Sequence, residues 1–248
     1  MSPEILVYGM HAVRALLEHH PGRIRQLWLQ QGRDDARLGS IRERAAAAGL
    51  RIAIRPASEL DRMTGGAVHQ GVVAEVTPAA ALNDHDLLDL VEAAGPDALL
   101  LVLDGVQDPH NLGACLRSAD AAGVHAMVVP KDRAVGLTPT VRKVAAGAAE
   151  SVPFVQVTNL ARTLARLKEA GVWIVGTDGT SGKDLYEADL KGPLAVVMGA
   201  EGAGMRRLTR ECCDFTVRLP MRGLVESLNV SVATGIVLYE ALRQRRQP

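Results

Sequence analysis

Two polar residues, Asn111 and Arg117, lie in the stretch DGVQDPHNLGACLRSADAAG, residues 104–123. Asn111 is placed to cap a helix predicted over residues 111–122, since a short polar side chain can accept hydrogen bonds from a first helical turn. Arg117 stands among small and apolar residues. Its charge is costly to bury alone, so it needs either a partner inside the protein or a path into solvent, and the spacing leaves both open.

A glycine-rich stretch, VVMGAEGAGM, spans residues 196–205 and contains Gly199, Gly202 and Gly204. Glycine permits close backbone approach and positive φ, so this stretch predicts a tight loop beside a ligand. Glu201 would face that ligand; the alternative is a structural turn with a solvated glutamate. A dinucleotide fingerprint needs a third glycine where Arg207 stands, which argues against a nicotinamide-dependent oxidoreductase.

A third stretch, LPMRGLVESLNVSVATGIVLYE, runs from residue 219 to residue 240. Its first part contains Pro and Gly and predicts a loop after a strand, and the rest predicts a long helix over residues 228–243. Ser227, Asn229 and Ser231 are polar groups at the start of that helix. Ser or Asn at this place can cap the helix, so the residue types alone leave a capping role and a functional role open.

The elements that position these three stretches alternate between strand and helix patterns. The continuous apolar run LLLVLD at residues 99–104 is typical of a strand covered on both faces. The second half of the chain is therefore predicted to be a doubly wound α/β domain with a mainly parallel sheet, whose ligands bind outside the carboxyl ends of the strands. Its other predicted elements are strands at 125–130, 152–156, 172–177, 194–199 and 215–219, and helices at 138–150, 159–170 and after 204.

The first 76 residues form a separate compositional unit. Strand patterns at 25–30, 51–55 and 71–76 alternate with helical patterns at 8–20, 36–48 and 58–63, which predicts a small open-sheet α/β domain. Pro78 and Pro96 then bracket an Ala- and Asp-rich stretch with one short helix. The predicted organisation is a domain at residues 1–76, a linker at 77–97 and a domain at 98–248.

The charge balance gives little support to a nucleic-acid partner, because 28 basic residues face 28 acidic ones. The charges are unevenly spread, however, so a local basic surface and ordinary solvated charges both stay open. The basic residues form two groups: Lys131, Arg133, Arg142 and Lys143 around one loop, and Arg206, Arg207 and Arg210 in another.

The composition also bounds the compartment and the cofactor class. No apolar run approaches the roughly 20 residues that span a membrane, and the N-terminus lacks the pattern of a signal peptide, so we expect a soluble cytoplasmic protein. Cys115, Cys212 and Cys213 fit core packing better than a zinc site or a disulfide. The histidines are dispersed and HExxH is absent, so no metal is predicted.

Taken in order and with their gaps, NLGACLRSAD, VVMGAEGAGM and LPMRGLVESLNVSVATGIVLYE closely resemble the three motifs of the SpoU/TrmH family of the SPOUT superfamily. Members of that family are S-adenosylmethionine-dependent RNA ribose 2′-O-methyltransferases. The stretches YGMHAV, AVHQGVVA, VHAMVVPKDR and KVAAGAAESVP are similar to the bacterial branch that methylates a guanosine ribose of 23S rRNA. The resemblance covers almost the whole chain, and it favours that substrate over the transfer RNA used by relatives with the same motifs.

The resemblance implies a fold and an assembly that periodicity does not reveal. The implied catalytic domain has a parallel sheet whose C-terminal segment is threaded into a deep trefoil knot. The implied N-terminal unit is a small α/β RNA-binding domain, and the implied assembly is a homodimer whose active site draws on both subunits. Residues matching the family's cofactor contacts are Gly199, Leu219 and Leu228, with S-adenosylmethionine held in a bent shape by the loops 197–204 and 219–228.

The residues that match the family's catalytic set are Asn111, Arg117, Glu201, Ser227 and Asn229. A ribose hydroxyl is a weak nucleophile at neutral pH, so the reaction needs a base or strong polarisation. A guanidinium stays protonated in proteins, so our hypothesis is that Arg117 binds the adjacent phosphate and stabilises developing alkoxide charge. Glu201 would orient Arg117 or pass the proton on. Ser227 and Asn229 would hold the ribose and the loop. The other alternative is a non-catalytic RNA-binding protein, which the presence of these side chains disfavours.

Overall fold

The structure, a computed structural model, describes residues 5–77 and 82–246. The chain divides into two compact units, one of Met1–Ala80 with Ala146–Ser151 and the other of Ala81–Ala145 with Val152–Pro248. Both units are α/β, as the sequence predicted. The strands are β1 (Ile5–Tyr8), β2 (Ile24–Gln30), β3 (Ile52–Arg55), β4 (Val72–Val76), β5 (Leu99–Asp104), β6 (Ala126–Pro130), β7 (Phe154–Val157), β8 (Trp173–Thr177), β9 (Leu194–Gly199) and β10 (Phe215–Val217). The helices are α1 (Met10–His19), α2 (Ala36–Ala47), α3 (Ala57–Met63), α4 (Asp84–Ala94), α5 (Pro109–Ala122), α6 (Pro139–Ala145), α7 (Ala148–Ser151), α8 (Leu160–Glu169), α9 (Arg207–Cys212) and α10 (Val230–Arg245).

The first unit contains a four-stranded sheet in the order β1-β4-β2-β3. Strands β2 and β3 are parallel, and the other pairs are antiparallel. Its apolar core includes Leu16 of α1, Leu27 of β2 and Leu38 of α2. The helix predicted over residues 8–20 begins at Met10, and the sequence prediction missed β1 before it. That strand is short and forms through pairing with the distant β4, which local periodicity cannot register.

The second unit is a six-stranded sheet in the order β10-β8-β9-β5-β6-β7, and every pair is parallel. All six residues of β5 are buried, which explains its continuous apolar run. The helix inside the predicted linker, α4, contributes Leu87 and Val91 to this unit's core. The predicted boundaries at residues 76 and 97 and the trefoil knot stay predictions.

The helix predicted over residues 138–150 is interrupted. α6 ends at Ala145 and α7 begins at Ala148, because Ala146 and Gly147 adopt φ values of 52° and 106°, outside the helical range. A Cβ on Gly147 would lie 2.9 Å from the carbonyl oxygen of His11, so only glycine fits there. Within the described ranges, the structure holds no helix that is both long and apolar enough to cross a bilayer.

Candidate active site

The carboxyl ends of neighbouring strands place two of the three predicted loops, those after β5 and β9, side by side at one edge of the parallel sheet, and the third predicted loop follows β10. β5 pairs with β9 so that Asp104 lies opposite Gly199, and it pairs with β6 so that Val102 lies opposite Val128. The loops that follow β9, β5 and β6 therefore leave the sheet side by side in that order. This is the edge at which doubly wound sheets bind their ligands.

The helix after β5 begins earlier than the sequence predicted. Asp108 is its N-cap, and the Asp108 carboxylate accepts a hydrogen bond from the backbone N–H of His110 at 2.9 Å. Proline is favoured at the first helical position because its missing N–H would have no partner there, so α5 begins at Pro109. The prediction that Asn111 caps this helix is therefore wrong. Asn111 lies in the first turn and is buried.

The glycine-rich stretch forms a tight turn directly after β9. Ala200 and Gly204 exchange two backbone hydrogen bonds, of 3.1 and 2.9 Å, and Glu201 lies at the start of the turn between them. A Cβ on Gly199 would lie 2.2 Å from the carbonyl carbon of Gly204, so the turn can fold back on the strand only because residue 199 is glycine. The tight turn is present, and its approach to a ligand stays a prediction.

The third stretch is a loop followed by the long helix α10. Within the part of the chain that the structure describes, residues 219–228 form no hydrogen bonds through their backbone groups. Leu224 is fully exposed and Leu228 is 36% exposed. Asn229 ends the loop as the N-cap of α10, and its side-chain oxygen accepts from the backbone N–H of Ser231 at 2.9 Å. The capping role that the sequence allowed for Asn229 is present.

Side chains from the three loops meet in a hydrogen-bonded triangle of Asn111, Glu201 and Asn229. The Asn111 Nδ2 group donates to Glu201 Oε1 at 3.1 Å, and Asn229 Nδ2 donates both to Glu201 Oε1 at 2.7 Å and to Asn111 Oδ1 at 2.9 Å. These residues are 28 to 118 positions apart in the chain. The structure thus assembles three of the five predicted catalytic residues into one cluster.

The cluster holds the Glu201 carboxylate in one orientation. Its Oε1 atom receives the two amide groups and also the backbone N–H of Val230 at 3.4 Å, at the positive end of α10. Its Oε2 atom has no hydrogen-bond partner among residues 5–77 and 82–246. The oriented carboxylate therefore presents one acceptor atom outward, where it can take a proton or a hydrogen bond from a bound hydroxyl.

Arg117 and Ser227 are not drawn into this cluster. Both are exposed, and neither side chain has a hydrogen-bond or ion-pair partner in the described ranges. Arg117 follows Asn111 by six residues on α5, which places it about 9 Å along the helix and about 240° around it. Of the two environments that the sequence allowed for Arg117, the structure has the solvent-exposed one. The hypothesis that Glu201 orients Arg117 has no contact to support it within this chain.

The three predicted cofactor-binding residues lie around the same edge. Gly199 ends β9 two residues before Glu201, and Leu228 immediately precedes Asn229, so the triangle brings their loops together. Leu219 begins the loop after β10 and is partly buried. The unbonded backbone groups and exposed apolar side chains of residues 219–228 can recognise the edge of a purine and cover its faces.

An ion pair that the sequence analysis missed fixes the glycine-rich turn to β5. Asp104 is 1% exposed, and it accepts hydrogen bonds from the backbone N–H of Arg206 at 2.8 Å and from Arg206 Nε at 2.6 Å. A carboxylate at the end of a wholly apolar strand was the available signal, because a buried charge needs a partner. Asp104 therefore positions the turn that carries Glu201.

The same contacts change the interpretation of one predicted basic group. Arg206 binds Asp104, Arg207 binds Glu211 at 2.6 Å, and Arg210 binds Asp178 at 3.0 Å. All three arginines of that group are neutralised by carboxylates. This group is therefore poorly suited to bind an anionic partner.

The cysteines have the packing role that the sequence predicted. Cys115 is buried, and its thiol lies 3.5 Å from the Thr234 hydroxyl, which joins α5 to α10 behind the triangle. Burial is the main cause that raises the pKa of Cys115 to about 11, and burial likewise raises the pKa of Cys213 to about 12. None of the three forms a disulfide. In the described ranges no group of His, Cys, Asp and Glu side chains could hold a metal ion.

Two family models match this chain. Residues 98–239 match the SpoU rRNA Methylase family. The chain belongs to the SpoU rRNA methylase family. Residues 6–82, which include β2–β4 and all but the first residue of β1, match a second family described as RNA 2′-O ribose methyltransferase substrate binding.

Relatives of this SpoU family member match it along almost its whole length. The 23S rRNA (guanosine-2′-O-)-methyltransferase RlmB of Pseudomonas aeruginosa is 60% identical over 99% of this chain and 98% of its own length. The Escherichia coli K12 protein of the same name is 55% identical over 97% of this chain and 98% of its own length. Among solved structures, the SpoU methyltransferase AviRb from Streptomyces viridochromogenes in complex with AdoMet superposes with a TM-score of 0.78, at 27% identity, over 97% of this chain and 90% of its own.

Proposed function

We propose that this protein transfers a methyl group from S-adenosylmethionine to the ribose 2′-hydroxyl of a guanosine in 23S rRNA. The observation that carries the proposal is the Asn111–Glu201–Asn229 triangle, which leaves Glu201 Oε2 facing outward on a SpoU methylase domain. The names of the relatives, which match from end to end, support the guanosine of 23S rRNA as the target. The match to a substrate-binding family supports an RNA-binding role for the first unit.

The residues present fit the proposed methyl donor. Leu219 and Leu228 bound a segment whose backbone makes no hydrogen bonds with the part of the chain that the structure describes, so its N–H and C=O groups can pair with the adenine edge, and Gly199 ends β9 at the same edge of the sheet. Leu228 and the neighbouring apolar side chains can pack against the ring. When bound, S-adenosylmethionine supplies a methyl group on a positively charged sulfur, ready for transfer to an oxygen nucleophile.

The protein's own residues must orient and activate the hydroxyl. Glu201 Oε2 accepts a hydrogen bond from the ribose 2′-hydroxyl and takes its proton as the oxygen gains the methyl group, while Asn111 and Asn229 keep the carboxylate from rotating. Ser227, at the end of the third loop, contacts the ribose. Arg117 binds the phosphate beside the target and stabilises negative charge that develops on the attacking oxygen.

A homodimer explains how Arg117 can serve this site although it is remote from the triangle in one chain. Exposed apolar side chains on the C-terminal elements, among them Leu224, Val225 and Tyr239, support a subunit interface there. Light scattering after gel filtration measures the mass of the protein in solution and so distinguishes a homodimer from a monomer. We expect Arg117→Ala and Asn229→Ala each to be inactive alone. Mixing the two variants restores part of the activity if two copies build each site, and restores none if one copy suffices.

The decisive test is methyl transfer in vitro. Ribosomal RNA from a strain that lacks the gene is incubated with the enzyme and labelled S-adenosylmethionine, with transfer RNA from the same strain as a parallel sample. We expect label in 23S rRNA alone, at one guanosine ribose when the modification is mapped. Label in transfer RNA alone would mean that transfer RNA is the substrate, and label in neither RNA would refute the proposal. In cells we expect the enzyme in the cytoplasm, where ribosomal RNA is assembled into ribosomes.

Two substitutions test the role of Glu201. Glu201→Gln keeps an acceptor oxygen for Asn111 and Asn229 but removes the charge, so we expect a loss of about 10²–10⁴-fold in kcat with little change in stability. The exposed residue Glu211 gives the matched control, Glu211→Gln, which we expect to be fully active.

Melting temperatures measured with S-adenosylhomocysteine and with NAD test the cofactor separately, and a rise with NAD alone would favour an oxidoreductase.

A further inference from the structure

The turn after β6, residues 131–133, lies beside the triangle on the same edge of the sheet. β6 is the neighbour of β5 on the side away from β9, and neighbouring strands are about 4.8 Å apart. A Cβ on Gly105 would lie 3.8 Å both from the carbonyl oxygen of Arg133 and from Cβ of Ala200, the residue before Glu201. The three loops therefore converge on Gly105.

The turn is held in this place by backbone contacts. The Val135 N–H donates to the carbonyl of Val106 at 3.1 Å, which ties the segment after the turn to the loop after β5. On its other side, the Lys131 N–H donates to the carbonyl of Val157 at the end of β7. The turn is thus fixed relative to the site without the use of its own side chains.

Arg133 adopts a backbone conformation that costs free energy. Its φ is 57°, in the left-handed region that glycine and asparagine adopt far more readily than arginine. Strain of this kind is common where a side chain is needed for binding, because glycine would otherwise fit the position better. Packing gives no reason for arginine here, since the residue is exposed.

The two cations of the turn are also available, in contrast to the basic group at 206–210. The Lys131 and Arg133 side chains are exposed and have no hydrogen-bond or ion-pair partner in the ranges that the structure describes. The single acidic residue of the turn, Asp132, lies between them and leaves a net positive charge. Exposed cations beside a ribose-binding site have the right charge and place for a phosphodiester.

We propose that Lys131 and Arg133 form a phosphate-binding site that holds the RNA backbone next to the target nucleotide. The inference rests on the proposed function and names two further substrate-binding residues for it. Arg133 binds a phosphate through its planar guanidinium, and Lys131 adds charge to the same or the next phosphate. The strand of RNA then crosses the sheet edge from the triangle toward β6.

The test compares two double variants with the same change in net charge. Lys131→Gln with Arg133→Gln removes the proposed site, and Lys191→Gln with Arg166→Gln removes a lysine before β9 and an arginine in the last turn of α8. Lys191 precedes the amino end of β9, and Arg166 lies in the last turn of the helix that leads to the amino end of β8, so both are on the side of the opposite edge of the sheet. The probe is 23S rRNA transcribed in vitro, with binding measured over a range of KCl concentrations.

Log affinity falls with log salt, and we expect this dependence to be less steep by about 1.4 for the first double variant and unchanged for the control, since each lost contact to single-stranded RNA contributes about 0.7 to the steepness. This corresponds to about 25-fold weaker binding near 0.1 M salt. The stabilisation by S-adenosylhomocysteine should persist in both. Equal losses in the two double variants, or no loss in the first, would overturn the inference.

Arg133→Gly separates the binding role from a structural one. It removes the charge and relieves the left-handed strain, so we expect a melting temperature that is unchanged or higher together with a raised KM for RNA. A lower melting temperature with unchanged KM would mean that Arg133 is structural, which overturns the proposal. Wild-type enzyme that methylates no 23S rRNA would instead refute the proposed function, a result that these variants cannot imitate.

Discussion

Replacement of Asp104 by Asn tests how the candidate site is held together. Asp104 is buried, and both of its carboxylate oxygens accept hydrogen bonds from Arg206. Asparagine has nearly the same shape, but it carries no charge and offers one acceptor oxygen in place of two. Asp104→Asn therefore removes the charge from both hydrogen bonds and directs an amide N–H₂ group at one of the Arg206 donors.

The size of the effect follows from the burial of the two partners. Loss of one member of a buried ion pair costs about 3–5 kcal/mol, and each hydrogen bond to a charged group contributes about 1.5–3 kcal/mol. The Arg206 side chain is 44% exposed, so water can solvate it again and reduce the penalty. We expect the free energy of unfolding to fall by about 2–4 kcal/mol and the melting temperature to fall by about 4–16 °C.

The activity should fall more than this loss of stability alone would cause. Arg206 follows the turn that carries Glu201, and a displacement of about 1 Å in a catalytic group can cost about 10²-fold in rate. Urea unfolding and initial rates of RNA methylation, both at a temperature where the variant is folded, measure the two effects. The control is Glu211→Gln, which breaks an exposed ion pair with Arg207 and should cost less than about 0.5 kcal/mol.

The reasoning would be refuted by an Asp104→Asn protein that is as stable and as active as Glu211→Gln. Such a result would mean that the pairing of β5 with β9 and the two backbone bonds of the turn hold Glu201 without the ion pair. A stable but inactive variant would place Asp104 closer to the chemistry than its burial implies.

The remaining predictions concern packing and pH. Gly113→Ala should destabilise the protein by about 1–3 kcal/mol in urea unfolding, because the new Cβ would lie 2.6 Å from Cβ of Val144. Gly39 lies in a helix and has nothing within 4 Å of the new Cβ, so Gly39→Ala should raise the free energy of unfolding by about 0.5–1 kcal/mol. A lower free energy of unfolding for Gly39→Ala would contradict the packing argument. Hydrogen bonds from Arg243 are the main cause that lowers the pKa of Glu240 from 4.5 to about 2, so the stabilisation by this carboxylate is present above about pH 4.5 and is lost as the pH falls toward 2. The stability difference between wild type and Glu240→Gln should therefore shrink between about pH 6 and about pH 3, and a constant difference would show that the ion pair contributes nothing.

Local patterns were sufficient for most elements of the second unit. The apolar run at 99–104 predicted β5, and the helical periodicity at 159–170 predicted α8, each within two residues of its observed bounds. A strand buried on both faces leaves a continuous apolar run in the sequence, whereas a helix buried on one face leaves a helical period. The start of α5 was misplaced, since Asp108 and Asn111 are both good caps and the sequence does not show which one the chain uses. The break at Ala146 was missed because it results from a close backbone approach at Gly147, not from residue preference.

The candidate site divides in the same way. The sequence by itself determined the parallel α/β domain, the tight turn at Gly199–Gly204 and the set of polar residues to consider, because each leaves a local pattern of residue types. Only the tertiary structure decided that Asn111, Glu201 and Asn229 bond to one another while Arg117 stays in solvent, and that Asp104 binds Arg206. Those contacts join residues that are 28 to 118 positions apart, and the order of strands in a sheet, which brings them together, is a property that no local pattern encodes.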